Sequence, residues 1–185
     1  HQEPRTGATG NLLAKIFHTG RHRRRRPSTT FIEMRSGFSI VVLTTRDLNS
    51  FLSIRSSIDP VIRAAHGMSH DVPKPPIKQF IQSPNCSSRN GTKIDMVVLH
   101  FTDGPSAKSA INTFLDPGAQ VSAHYIVDKN GDIFQMVSDS DKAWHAKAAN
   151  PRSIGIEHVA LPGDRMAPAQ EASRVALIKW LMATY

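Results

Sequence analysis

One cysteine, Cys86, is all that the 185 residues contain, so neither an intrachain disulfide nor a thiolate-rich metal cluster can form within the chain. Long apolar runs are lacking as well. No window approaches eighteen uninterrupted apolar residues, and no basic patch leads into an apolar stretch and a small-residue cleavage site, so neither a membrane span nor a signal peptide is expected. Acidic side chains are few against basic ones, 15 to 23, which leaves a formal charge of +8. The imbalance lies mainly at the front, where residues 1–73 carry 11 Lys/Arg against 5 Asp/Glu, while residues 74–185 carry 12 against 10. The run Arg21-His22-Arg23-Arg24-Arg25-Arg26-Pro27 resists compaction by like-charge repulsion. It has no interleaved aromatics on which bases could stack, so a solvated tail is expected rather than a nucleic-acid partner.

What is present is an ordinary balance of 39% hydrophobic and 21% charged residues, enough for one domain with a core behind a tail. Residues 1–72 read as a basic, largely disordered extension, with an apolar run from Phe38 to Leu43 and a weakly helical stretch through Ile54, Ile58, Val61 and Ile62. Residues 73–82 read as a Pro-rich linker, since Pro73, Pro75 and Pro76 fix φ and remove backbone donors. From residue 83 the signals strengthen. Ile94 to Phe101 is nearly continuous in apolar residues, as in a strand covered on both faces. Ala107, Ala110, Ile111, Phe114 and Leu115 recur with helical spacing, which places them on one face of a helix. Val121–Val127 and Asp132–Val137 flank Asn130-Gly131, a dipeptide suited to a type I′ hairpin turn. Ser153 to Val159 reads as a further strand, with Gly155 permitting close backbone approach. After Pro168, the residues Val175, Ile178, Leu181, Met182 and Tyr185 form a helical stripe, and no stop signal follows it.

Among the nine histidines, His100, His124 and His145 fall on or beside these sheet segments. Neutral imidazole offers a lone pair whose direction a strand fixes, which suits a metal. Taken singly, each is more often a hydrogen-bonded core or surface histidine than a ligand. Glu157 stands in an apolar strand, where an unpaired carboxylate is costly, so pairing or chemistry is expected of it. His158 alternates away from Glu157 and should point to the opposite sheet face.

Read in order, Ser83-Pro84-Asn85-Cys86 with Arg89, Val97-Val98-Leu99-His100, Val121-Ser122-Ala123-His124-Tyr125, Ala143-Trp144-His145-Ala146 and Ser153-Ile154-Gly155-Ile156-Glu157 resemble the type-2 N-acetylmuramoyl-L-alanine amidases. Asp164 and Ala167-Pro168-Ala169-Gln170 extend the likeness, which covers residues 83–185. The resemblance implies an α/β fold with a mixed central β-sheet flanked by helices. It also implies zinc-dependent hydrolysis of the amide between N-acetylmuramic acid and L-alanine in peptidoglycan or muropeptides. His100 matches the first zinc ligand and Glu157 the catalytic acid-base; Trp144 and His145 match a segment lining the substrate cleft, and His124 matches a structural sheet histidine. The family's other zinc ligands follow the last helix, so here they are expected beyond Tyr185. On that basis the amidase domain is expected to be truncated, and a non-catalytic peptidoglycan-binding module, or an inactive fragment of such an amidase, is the alternative reading.

Overall fold

The computed structural model describes residues 72–161 and 164–185, together with the backbone strands Ser28–Glu33 (β1) and Ser39–Thr44 (β2). The remaining strands are Gln79–Phe80 (β3), Cys86–Ser88 (β4), Met96–Phe101 (β5), Tyr125–Val127 (β6), Ile133–Gln135 (β7), Asp141–Ala143 (β8) and Ser153–His158 (β9). Two α-helices, Ala107–Leu115 (α1) and Pro168–Thr184 (α2), and two short 3-10 helices, Pro117–Ala119 and Lys147–Arg152, complete the described elements.

Seven strands form one mixed sheet in the order β1-β2-β5-β9-β6-β7-β3, and β4 pairs with β8 beside it. The central strand β9 runs parallel to both β5 and β6. Its two faces are covered by different helices. Val97, Leu99, Tyr125, Val127, Ile154 and Ile156 pack against Leu177, Ile178 and Leu181 of α2. On the other face Ala123, Ile126, Met136 and Val159 pack against Ala107, Ala110 and Phe114 of α1. This double cover is why β5 and β9 are apolar along their length rather than alternating. The expected α/β class and mixed sheet are what the fold displays.

Three local expectations need correction. Among residues 1–72, expected to be a largely disordered extension, twelve form β1 and β2, an antiparallel hairpin that joins the sheet through β2 and β5 in parallel. The β-branched run Ile40-Val41-Val42 favours extended backbone, and β5 supplies the ladder partner. The stretch from Ile54 to Ile62 and the Arg21–Arg26 run lie outside the described residues. The linker of residues 73–82 also enters the sheet, because β3 pairs with β7 and the Ile81 and Ser83 amides donate to the Gln135 and Met136 carbonyls. Finally, the β6–β7 turn is not type I′: Gly131 has φ +90° and Asn130 is not in the positive-φ region. The Gly131 amide donates to the Asp128 carbonyl, the pattern of a type I turn closed by a left-handed glycine. That glycine is needed for space too, since a Cβ there would lie 2.9 Å from the Ala169 carbonyl oxygen at the start of α2.

Both helices use buried polar side chains that the apolar periodicity passed over. The last carbonyls of α1 have no intrahelical partner. Ser83 Oγ donates to Phe114 O at 2.5 Å, while Asn85 Nδ2 lies 3.2 Å from the same oxygen and 2.9 Å from Asp116 O. On α2, Gln170 and Arg174 are buried, whereas Tyr185 at the end of the expected stripe is exposed. Gln170 Nε2 donates to the carbonyls of Val127 and Val159 at 2.9 and 3.0 Å, tying α2 to the ends of β6 and β9.

Candidate active site

Parallel pairing of β5 with β9 sets His100 opposite Glu157, one step after Val98 opposite Gly155 and Met96 opposite Ser153. Since side chains alternate, these six share one face, the face that α1 covers only in part. The uncovered part is a cleft of about 290 Å³. Phe101, Thr102 and Gly104 line it from the end of β5, Ser109, Ala110, Thr113 and Phe114 from α1, and Val121, Ser122, Trp144, His145 and Glu157 from the sheet side. Glu157, Trp144 and His145 thus line one cleft, whereas His100 is not among its lining residues. His158 is buried on the opposite side, with Nδ1 2.9 Å from the His100 carbonyl and the Arg174 charge on α2 depressing its pKa after burial.

Glu157 Oε2 is buried without a hydrogen-bond partner among the described residues. Burial, with a smaller push from the negative charge of Asp103, raises its carboxyl to about 8. Asp103 sits in the loop after β5 with φ +48°. It was not singled out from the sequence, although an Asp-Gly pair directly after a buried strand marks a turn at the strand's mouth. Beside Glu157, burial lowers His100 to about 4, so its imidazole is neutral at physiological pH.

Three imidazoles run along this face. The His100 and His145 ring centroids are 5.2 Å apart and those of His145 and His124 are 5.7 Å apart, both edge to face. Space for the middle ring comes from Gly155, where a Cβ would lie 2.7 Å from the His145 Cγ. Trp144 lines the same cleft, its indole N–H donating to Ser87 Oγ at 3.1 Å and its backbone amide to Ser122 Oγ at 3.0 Å. His145 is well below its ordinary pKa through burial first and then the neighbouring His100, His124 and Arg89.

His124 has close polar neighbours at both ring nitrogens. It is fully buried, Nδ1 accepts the Gly155 amide at 2.9 Å, and Nε2 lies 3.1 Å from the Asp141 carbonyl and 2.6 Å from Arg89 Nη2. Burial, followed by the Arg89 charge, lowers it to about 3. Arg89 is buried too and donates to the carbonyls of Asp139, Asn150, Pro151 and Ser153 at 2.7 to 3.2 Å. It thus holds the segment between β8 and β9 on which Trp144 and His145 ride.

These histidines make stability pH-dependent. His124 and His158 stay neutral in the folded state down to about 3 but take up protons near 6.5 when unfolded. The unfolded chain therefore binds more protons between those values, and stability falls as pH drops from 6.5, by up to about 1.4 kcal/mol per pH unit for each histidine. Glu157 acts with the opposite sign: its proton is held to about 8 rather than 4.5, so the stability it contributes is full below 4.5 and is lost as pH rises through 8. Urea unfolding at pH 7, 6, 5 and 4 checks this. A free energy that stays level or rises from pH 6.5 to 4 contradicts the neutral, buried histidines.

Among the described residues, no three His, Cys, Asp or Glu side chains converge to hold a metal ion. What is present suits one edge of a metal site: a neutral imidazole and, on the neighbouring strand, a buried carboxylate oxygen lacking a partner.

A family model described as N-acetylmuramoyl-L-alanine amidase matches residues 90–185. N-acetylmuramoyl-L-alanine amidase A of Achromobacter lyticus is 45% identical over 84 residues, covering 43% of this chain and 47% of that protein. The 1,6-anhydro-N-acetylmuramyl-L-alanine amidase AmpD of Haemophilus influenzae is 31% identical over 123 residues, covering 52% of this chain and 65% of that protein. The matches thus span between about half and two thirds of these curated relatives. The crystal structure of a selenomethionine AmpD derivative shares the fold, with a TM-score of 0.52 at 24% identity over 64% of this chain and 80% of that one.

Proposed function

Because the chain belongs to the N-acetylmuramoyl-L-alanine amidase family, we propose that its cleft hydrolyses the amide between the lactyl group of N-acetylmuramic acid and L-alanine. Peptidoglycan or muropeptides are the substrate, zinc is the cofactor, His100 is one of its ligands and Glu157 is the acid-base. The observation that carries this reading is Glu157 itself, a buried carboxyl with one oxygen unpartnered, opening on the cleft beside a neutral histidine.

Amide hydrolysis needs a proton removed from water and a proton delivered to the leaving amine. Glu157 is suited to both, because a carboxyl poised at about 8 exchanges its proton near neutral pH, where an ordinary one stays ionised. Bound zinc supplies polarisation of the amide carbonyl and a water acidified toward neutrality. The Phe114 and Trp144 side chains offer apolar wall for the sugar and peptide, and Thr102, Ser109, Thr113 and Ser122 offer polar groups along the same cleft.

Metal removal tests the assignment. Free amino groups should appear when the protein is incubated with purified cell wall, cease after chelation and dialysis, and return on adding zinc. Wall binding with no release of amines, whether zinc is present or absent, would instead support the binding-module reading.

A further inference from the structure

The hydrogen atoms around His145 admit one consistent arrangement. Ser153 Oγ is 2.7 Å from the Ala149 carbonyl oxygen. A carbonyl only accepts, so the single hydroxyl hydrogen of Ser153 is committed there. Toward His145 Nε2, 3.2 Å away, Ser153 Oγ must accept, and that nitrogen carries the ring hydrogen. Neutral imidazole has only one N–H, which leaves a lone pair on His145 Nδ1. Facing that lone pair at 3.0 Å is His100 Nε2, which therefore donates. His100 is left with its hydrogen on Nε2 and a lone pair on Nδ1. No hydrogen bond from a described residue engages that Nδ1.

The reverse order fails on the same count. If His145 Nδ1 donated to His100, His145 Nε2 would need a hydrogen that Ser153 has already given to Ala149. His100 would then carry its hydrogen on Nδ1, where it blocks a metal. The middle ring cannot move aside easily, since it rests on the bare backbone of Gly155, and the His145 and Ala146 amides both donate to Asn150 Oδ1 at 3.1 and 2.5 Å.

We infer that Ser153 and His145 are positioning residues that lock His100 in its Nε2–H tautomer and so present Nδ1 as its zinc-binding atom. The ligand half of this statement rests on the zinc reading above; the tautomer relay does not. A second partner that fixes a ligating histidine commonly changes metal affinity by about 10- to 100-fold when removed.

The test is a long-range proton–nitrogen correlation spectrum of metal-free protein labelled with ¹⁵N-histidine, with His100 assigned by the signals lost in His100→Gln. His100 should show a protonated Nε2 and a bare Nδ1. In Ser153→Ala both rings should become tautomer mixtures and zinc affinity should fall by about ten-fold, while Ser153→Thr, which keeps the hydroxyl, restores the single tautomer. A protonated Nδ1 on His100 in the parent protein overturns the relay, as does an unchanged tautomer in Ser153→Ala. Should Ser153→Ala not fold, the parent spectrum still decides. Zinc titration separates the two halves: the Nδ1 resonance should move, and a resonance indifferent to zinc removes His100 from the ligand set even where the tautomer is as stated.

Discussion

Glu157→Gln in the zinc-loaded protein is expected to lower turnover by about 10²-fold or more while leaving the fold and the metal content intact, the usual scale for a lost general acid-base. Glutamine keeps the volume and shape of the side chain, so the packing between β5 and β6 is not disturbed. What disappears is the ability to take a proton and return it. In the metal-free protein the amide also carries no charge, whereas burial keeps the native carboxyl protonated up to about 8 while the unfolded chain releases that proton, so near and above that pH the metal-free variant should be the more stable of the two. A purely structural carboxyl would not separate activity from stability in this way. Steady-state rates of the zinc-loaded proteins and urea unfolding of their metal-free forms supply the two readouts, and near-parental turnover takes Glu157 out of the mechanism.

Arg89→Ala is expected to cost roughly 4 kcal/mol of stability, at the severe end for a single substitution. Four carbonyls, those of Asp139, Asn150, Pro151 and Ser153, lose a donor inside the protein, and each unsatisfied acceptor costs about 1–3 kcal/mol unless water replaces it. Removing the side chain also opens a void beside His124, Nε2 of which lies 2.6 Å from the guanidinium. Lysine should recover little, because one ammonium group cannot span acceptors arranged around a planar fork. A loss below about 1 kcal/mol in chemical denaturation would mean that water or a backbone shift takes over the role of Arg89.

Patterns that depend on a residue's own neighbours were legible in the sequence. The apolar runs of β5 and β9 announced strands with both faces covered, and the spacing from Ala107 to Phe114 announced α1. The β1–β2 hairpin was not legible, because its partner β5 lies far along the chain and the charged run nearby suggested disorder. Arg174 and Gln170 escaped notice because periodicity counts apolar residues, whereas α2 buries these two polar ones.

The same division holds at the candidate site. Glu157 stood out as a carboxylate in an apolar strand, and His100 as a histidine at the end of another. Their register as opposite residues exists only once β5 and β9 have paired. Ser153 and Gly155 share a face with Glu157 by simple alternation, yet nothing local connects Ser153 to His145. Their relation appears only when the turn between β8 and β9 folds His145 back over the strand.

The most direct test of the account is the identity of the bond that is broken. N-acetylmuramoyl-L-alanyl-D-isoglutamine incubated with the zinc-loaded protein should yield free N-acetylmuramic acid, with its lactyl carboxylate restored, and a dipeptide with a free alanine amino group, both resolved by mass spectrometry. Cleavage between the two amino acids, or an untouched substrate in protein shown to hold its zinc, would contradict the assignment of this cleft.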